Sequence, residues 1–210
     1  GLITTPDSLV FTGIQNLNEA DAVFAREKGY EIKLVAQARK LQNGRIAAFV
    51  LPQFIKKDNQ LYGVKNEYNG VTIESGLADK QFFYGKGAGG FPTASAVLSD
   101  ISALWYNYKY EYKKRFFQSP SELSNDVYLK ICISAKGLFS IPHERFDQVL
   151  EWSSNGQRCH VTGIIRFSEL QKSDWWKQPN VSVIAYPNGI IDGYLPEKAN
   201  IDKEEFIEQL

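Results

Sequence analysis

The chain has 210 residues, enough for one large domain or two small ones with real cores. Its 24 basic and 24 acidic residues cancel, and 43% of its residues are hydrophobic, a balance that excludes general disorder and gives no footprint for nucleic acid. No apolar run approaches the ~20 residues of a membrane helix, and no signal-peptide pattern opens the chain, so no membrane partner and a cytoplasmic location are expected. Two cysteines, Cys132 and Cys159, fall in strand-like runs and are expected as buried thiols rather than a disulfide framework. The chain opens on Gly1 and holds no methionine, which leads us to expect a piece of a longer protein.

In chain order, Asn18 precedes a helical run with Glu19 and Asp21 in its first turn and Ala20, Val23 and Phe24 on one face. Arg26 and Lys28 close it, and Gly29 stops it. Ile32, Leu34, Ala36 and Ala38 then alternate with polar residues, as do Ile46, Ala48 and Val50. The Asn43-Gly44 pair between them predicts a hairpin. Leu61 to Glu67 and Val71 to Ser75 flank a second such pair, Asn69-Gly70, and Gln81 to Tyr84 reads as a short aromatic strand. A long amphipathic helix follows from Pro92 or Thr93, with Val97, Leu98, Ile101, Leu104, Trp105 and Tyr108 at three- and four-residue steps. Its tail to Arg115 is rich in tyrosine and lysine, which suits a helix C-terminus.

Residues 118–125 are polar, contain proline and lack periodicity, so they are expected to link residues 1–117 to a second domain, residues 126–210. That second part reads as a strand from Asp126 to Ser134, a glycine turn and a helix from Pro142 to Trp152. A strand from Gln157 to Arg166, a short helix from Ser168 to Trp176, a strand from Val181 to Tyr186 and a polar tail follow. The expected fold is α+β: a mostly antiparallel sheet domain with helices on one face, then a small βαβαβ domain.

The stretch from Gly85 to Val97 carries the chemical information. Four glycines in six residues, Gly85, Gly87, Gly89 and Gly90, give a backbone that a ligand can approach closely, at the positive end of the following helix. Gly85, Gly87 and Gly90 satisfy the spacing G-x-G-x-x-G, but no parallel strand with a ribose-binding acid follows, and no Lys-Ser or Lys-Thr pair makes a P-loop. The local pattern alone leaves a ligand loop and a packing turn equally open. Cys159-His160 has no partners at zinc-ligand spacing, so no metal site is expected.

The run from Gly85 to Asp100 resembles the signature near the end of the catalytic region of homoserine dehydrogenases. Upstream, Gly13-Ile14 with Asp21, then Ile32 to Ala36, is similar to the segment which that family places just after its catalytic helix. The resemblance implies NAD or NADP as cofactor, and the reversible reduction of L-aspartate 4-semialdehyde to L-homoserine on the way to threonine and methionine. It implies that Gly89 contacts the dinucleotide, with Gly85 and Gly87 shaping the loop, and that the chain forms a homodimer. The catalytic lysine and aspartate of the family belong to an earlier helix, so no catalytic residue is assigned here: Lys33 and Lys86 fall outside the matching helix and read as a strand-face lysine and a loop lysine. The chain alone is therefore expected to be inactive.

The second part resembles the amino-acid-binding ACT domain, with Gly137 and Leu138 as the possible effector site for an amino acid such as threonine. Ser134 stands where those domains carry an acid, and Lys136 where they carry proline. A purely structural or dimerising role is equally open, and a non-catalytic amino-acid-binding regulatory or assembly module is the competing reading of the whole chain.

Overall fold

The computed structural model describes residues 2, 4–108, 121–136, 141–154 and 158–193. In chain order the elements are β1 (Val10–Phe11), α1 (Glu19–Glu27), β2 (Tyr30–Lys40), β3 (Ile46–Lys56), β4 (Tyr68–Ser75), β5 (Asp79–Lys86) and α2 (Gly90–Trp105). They continue with β6 (Tyr128–Ala135), β7 (Gln148–Ser154), β8 (Cys159–Arg166), α3 (Phe167–Lys172) and β9 (Val181–Ile191). The chain divides into two compact units, one formed by Gly1–Ile55 with Pro120–Leu210 and the other by Lys56–Ser119. The architecture is α+β.

The first unit is a seven-stranded sheet in the order β1, β3, β9, β6, β8, β7, with β2 also paired to β3. Leu41 donates its N–H to Arg45 O at 2.8 Å, and Gly44 has a φ of 81°, so the Asn43-Gly44 turn between β2 and β3 forms where the sequence predicts it. The sheet is mixed, not simply antiparallel: β1 and β9 run parallel to β3, while β6 is antiparallel to both β8 and β9. The bridge from Gln53 to Ala185 makes strands on either side of the expected linker neighbours. The division at 117 to 126 read from composition therefore differs from the division in space. A pairing between residues so distant leaves no trace in local pattern.

Successive residues of β6 face opposite sides, which yields two cores. Leu129, Ile131 and Ile133 join Phe49, Leu51, Phe167, Leu170 and Trp176 in the larger one, and Cys132 joins Phe24, Phe54, Ile184 and Tyr186 in the other. Hence α1 and α3 cover opposite faces of this sheet. Helix α1 begins with a reciprocal capping box, in which the Asn18 side chain accepts from the Ala20 and Asp21 amides while the Asp21 carboxylate accepts from the Asn18 amide. Gly29, at φ 77°, ends it.

The helix expected from Pro142 to Trp152 is instead a single 3-10 turn, His143–Arg145, followed by edge strand β7. The described order in this part is β6, β7, β8, α3, β9, so the βαβαβ order expected there does not hold. The cause is a bulge: Val149 pairs with Gly163 and Glu151 with Thr162, leaving Leu150 as an extra residue. It breaks the period-two alternation and leaves Phe146, Val149 and Leu150 at helical spacing. Gly137, Leu138, the chain from 109 to 120 and the tail from 194 lie outside the described residues.

The second unit holds the antiparallel pair β4 and β5 and the 16-residue helix α2. Leu61 to Glu67, expected as a strand, is a 3-10 turn at Gln60–Gly63 and loop. Asn69-Gly70 is not the hairpin turn: these residues pair with Gly85 and Tyr84 inside β4, and the chain reverses between Ser75 and Asp79. Gly70 answers to packing, since a Cβ there would stand 2.8 Å from both the Phe82 ring and Val64.

Candidate functional site

The glycine loop leaves the end of β5 and opens α2. Lys86 and Tyr68 are cross-strand partners, and Gly87 donates its amide to Glu67 O at 2.9 Å, which holds the loop onto the start of β4. The Lys86 ammonium sits 3.0 Å from Glu67 Oε1 and 5.4 Å from the Tyr68 ring centroid, and the Tyr68 and Tyr84 rings stack at 4.7 Å. A backbone hydrogen bond and Lys86 hold the Glu67 carboxyl below its ordinary value, and Glu67 with Tyr68 raises Lys86. Lys86 is thus a charged, paired clamp on the hairpin, with no base character.

The three glycines differ in what they require. Gly89 is the N-cap of α2 at φ 116°, a conformation that side-chain-bearing residues rarely adopt, and it has no capping side chain. A Cβ on Gly87 would fall 1.5 Å from Asn69 Nδ2, so Gly87 answers to close approach within the hairpin. Around Gly85 nothing lies within 4 Å of where a Cβ would be. The first turn of α2 has no acidic residue and no cap of its own, so its amide end is left for a polar or anionic group. A dinucleotide fits this backbone as a ligand touched from outside; the antiparallel hairpin that precedes α2 is not the parallel βαβ unit that would enclose one.

A second polar assembly, which the sequence reading missed, lies in the other unit. Asp21 is fully buried, and its carboxylate accepts from the Ser134 hydroxyl, from Ser182 Oγ at 2.7 Å and from Asn18 Nδ2 at 2.8 Å. Arg158 donates to Ser134 O at 3.0 Å and Asn180 O at 2.8 Å, with its Nε 3.8 Å from Asp21 Oδ1. His160 Nε2 stands 3.3 Å from Asp21 Oδ1 but is misaligned for a hydrogen bond, and its ring stacks on Phe24 at 4.3 Å. Burial pushes the Asp21 carboxyl up; His160, the two serines and Arg158 together outweigh it and hold the group below its ordinary value.

With Asp21, Ser134, Arg158, His160 and Ser182 each at least nine-tenths buried, this cluster has no room for substrate and joins α1 to β6, β8 and β9. The available signal was Asp21 at the third position after Asn18, the capping-box spacing, which brings a first-turn acid back toward the sheet. Cys159 belongs to the larger core and His160 to the opposite face, so these two neighbours do not converge on one site.

The family model for homoserine dehydrogenase matches residues 1–102, a stretch ending within α2. The homoserine dehydrogenase of Lactococcus lactis is 29% identical over 178 residues, covering 77% of this chain and 41% of that protein. That of Corynebacterium glutamicum is 39% identical over 101 residues, 46% of this chain and 23% of the relative. Among solved structures, a homoserine dehydrogenase from Thiobacillus denitrificans aligns with a TM-score of 0.61 at 20% identity, over 83% of this chain and 46% of that one. One from S. aureus aligns with a TM-score of 0.53 at 23% identity, over 92% and 49%; at these identities the likeness speaks for the fold. The chain spans less than half the length of these relatives, and its residues 1–102, glycine loop included, match the homoserine dehydrogenase family.

Proposed function

We propose that this chain supplies the sheet and glycine-loop portion of an NAD(P)-dependent homoserine dehydrogenase, which interconverts L-homoserine and L-aspartate 4-semialdehyde in the cytoplasm. The observation that carries the proposal is the loop from Gly85 to Gly90, whose backbone opens at the start of α2 within the family-matched residues. The bound dinucleotide supplies the hydride chemistry. The contribution of Gly85, Gly87 and Gly89 is to bring backbone against it without side-chain obstruction. By itself the chain does not turn over homoserine, because its described residues form no parallel dinucleotide fold and neither Lys33 nor Lys86 stands in the helix to which the resemblance assigns the catalytic lysine.

Gly85 offers the clean test. In a homoserine dehydrogenase that contains this chain, Gly85→Ala leaves thermal stability within about 0.5 kcal/mol, since nothing lies near the new methyl group. It weakens NAD(P) binding about tenfold, ~1.4 kcal/mol. Unchanged cofactor affinity removes the loop from the cofactor site, and homoserine-dependent NAD(P) reduction by the chain alone overturns its assignment as a non-catalytic portion.

The chain acts as a homodimer. In support, the described part of the second unit has no buried residue, and Val71, Ile73, Phe83, Leu98 and Trp105 are all exposed. Light scattering that finds only monomer at micromolar concentration refutes it. The part after residue 120 responds to an amino acid such as threonine.

A further inference from the structure

We propose that the open face of the larger unit carries a binding site for a small zwitterionic amino acid, between the C-terminal end of α1 and strands β6 to β9. A cleft of about 470 Å³ lies there, lined by Lys28, Tyr30, Lys130, Leu150, Glu151, Thr162 and Tyr186. That volume is within the usual range for small-molecule sites. Two irregularities of the sheet converge on it. In β7 the bulge at Leu150 turns Glu151 into the cleft, whereas Val149 and Trp152 on either side pack into the core of the opposite face. In β9, Tyr186, Pro187, Asn188 and Gly189 stand opposite the single residue Lys130. Asn188 there has a φ of 53°, and a Cβ on Gly189 would be 2.8 Å from Tyr186 O. Two strands deformed at one place is the arrangement that re-aims side chains at a site: the bulge in β7 brings Glu151 to the cleft between the core-packed Val149 and Trp152, and the irregularity in β9 lies between the core residues Tyr186 and Ile190.

The chemistry lining the cleft selects the ligand. Lys130 lies 4.6 Å from the Tyr186 ring centroid and has no carboxylate partner among the described residues, so its ammonium is placed to take a ligand carboxylate. Glu151 pairs with Lys28 through Oε1 alone, and its Oε2 has no partner among the described residues and is placed to take a ligand ammonium. Thr162 Oγ1 and Tyr186 Oη, 3.1 Å apart, add hydroxyl groups that both donate and accept. Burial pushes the Tyr186 hydroxyl up to about 12, so it stays protonated and able to donate. A cation without a carboxylate partner among the described residues, a carboxylate engaged there through one oxygen and two hydroxyls bonded to one another match an α-amino acid better than a simple anion, which would leave Glu151 facing it.

The site rests on the reading that the second part of the chain responds to an amino acid, and the test separates the two. The purified full chain is titrated calorimetrically with single L-amino acids, with acetate and with ethylamine; then Lys130→Met and Glu151→Gln are titrated with whichever amino acid binds. The expected result is saturable binding of at least one amino acid at millimolar concentration or below, no binding of acetate or ethylamine, and a loss of at least about tenfold in each variant. Both side chains reach solvent, so the variants fold, and an unchanged melting temperature checks this. Equal binding by wild type and both variants overturns the cleft while leaving the amino-acid reading standing elsewhere in the chain; no binding of any amino acid overturns both. Acetate binding as tightly as the amino acids overturns the zwitterion assignment.

Discussion

The buried carboxylate of Asp21 is the most exacting prediction the fold offers. Asp21→Asn keeps the shape and removes the charge, so the Ser134 hydroxyl and the Asn18 amide face a group with one acceptor oxygen where there were two, while the Ser182 hydroxyl has Asn16 O at 2.6 Å as a second acceptor for its single proton. Breaking a buried charge pair costs about 3–5 kcal/mol when the partner is left stranded. Here Arg158 keeps two carbonyl acceptors and stands 3.8 Å from the carboxylate, so the charge contribution is the smaller part. One or two unsatisfied buried donors, at about 1–3 kcal/mol each, and a weakened capping box bring the expected loss to ~2–4 kcal/mol. Urea unfolding at neutral pH measures it. The sign with pH follows from the lowered carboxyl: the unfolded chain takes up the proton first as pH falls, so the contribution is complete above about pH 5 and disappears as pH drops through the native value. Asp21→Asn should therefore flatten the acid limb of the stability profile. A variant within about 0.5 kcal/mol of wild type, or one that keeps the same acid limb, refutes the assignment of this cluster as the tie between α1 and the sheet.

Gly163→Ala should cost about 1–3 kcal/mol or more in the same assay, because the new Cβ would meet Gln148 O and the Phe146 ring, each at 2.5 Å; a neutral result shows that edge strand β7 can move aside. On the alkaline side, burial pushes Cys132 and Tyr186 up to about 12. The unfolded chain ionises first, near about 8.5 and 10, so their stabilisation is complete below about pH 8 and is lost progressively toward pH 12. A urea midpoint that does not fall between about pH 9 and 11 contradicts this, as does rapid alkylation of Cys132 in the native chain at neutral pH.

What the sequence disclosed follows the range of the interactions. Helix α1, the Asn43-Gly44 hairpin and the onset of α2 are written in adjacent residues: a cap, a turn pair with one left-handed glycine, a run of apolar residues at helical steps. The glycine loop was legible for the same reason, though not the division of labour among Gly85, Gly87 and Gly89, which depends on Asn69 across the hairpin and on the left-handed φ at residue 89. Strand β7 was hidden because one inserted residue, Leu150, turned an alternating pattern into a helical one. Asn69-Gly70 misled in the opposite direction, since the glycine makes room for the Phe82 ring and Val64 and not for a turn. The Asp21 cluster was out of reach: its members come from positions 18, 21, 134, 158, 160 and 182, and only the fold collects them.

The family-matched stretch is therefore not the folding unit, and this has a measurable consequence. Residues 1–102 carry the recognisable motifs, yet residues 1–55 join the rest of their sheet through β9, and Phe54, besides touching Phe24 and Tyr30, is buried beside Cys132, Ile184 and Tyr186. In a chain cut after residue 117, Asp21 would lose Ser134, Arg158, His160 and Ser182 together, and Phe49 and Leu51 would lose the β6, β9 and α3 side of their core. Fully burying one such side chain contributes about 1.5–3 kcal/mol, and three or four at once exceed a large part of the ~5–15 kcal/mol that holds a domain folded. The described remainder of the piece, residues 56–108, offers no buried residue in compensation. The truncated chain should show no cooperative thermal transition and no fixed near-ultraviolet dichroism of its aromatic rings, whereas the full chain shows both. A cooperative melt of the 1–117 piece as a monomer would mean that β1 to β3 and α1 hold together without β9, and that the parallel bridge at Gln53 and Ala185 joins two structures already formed.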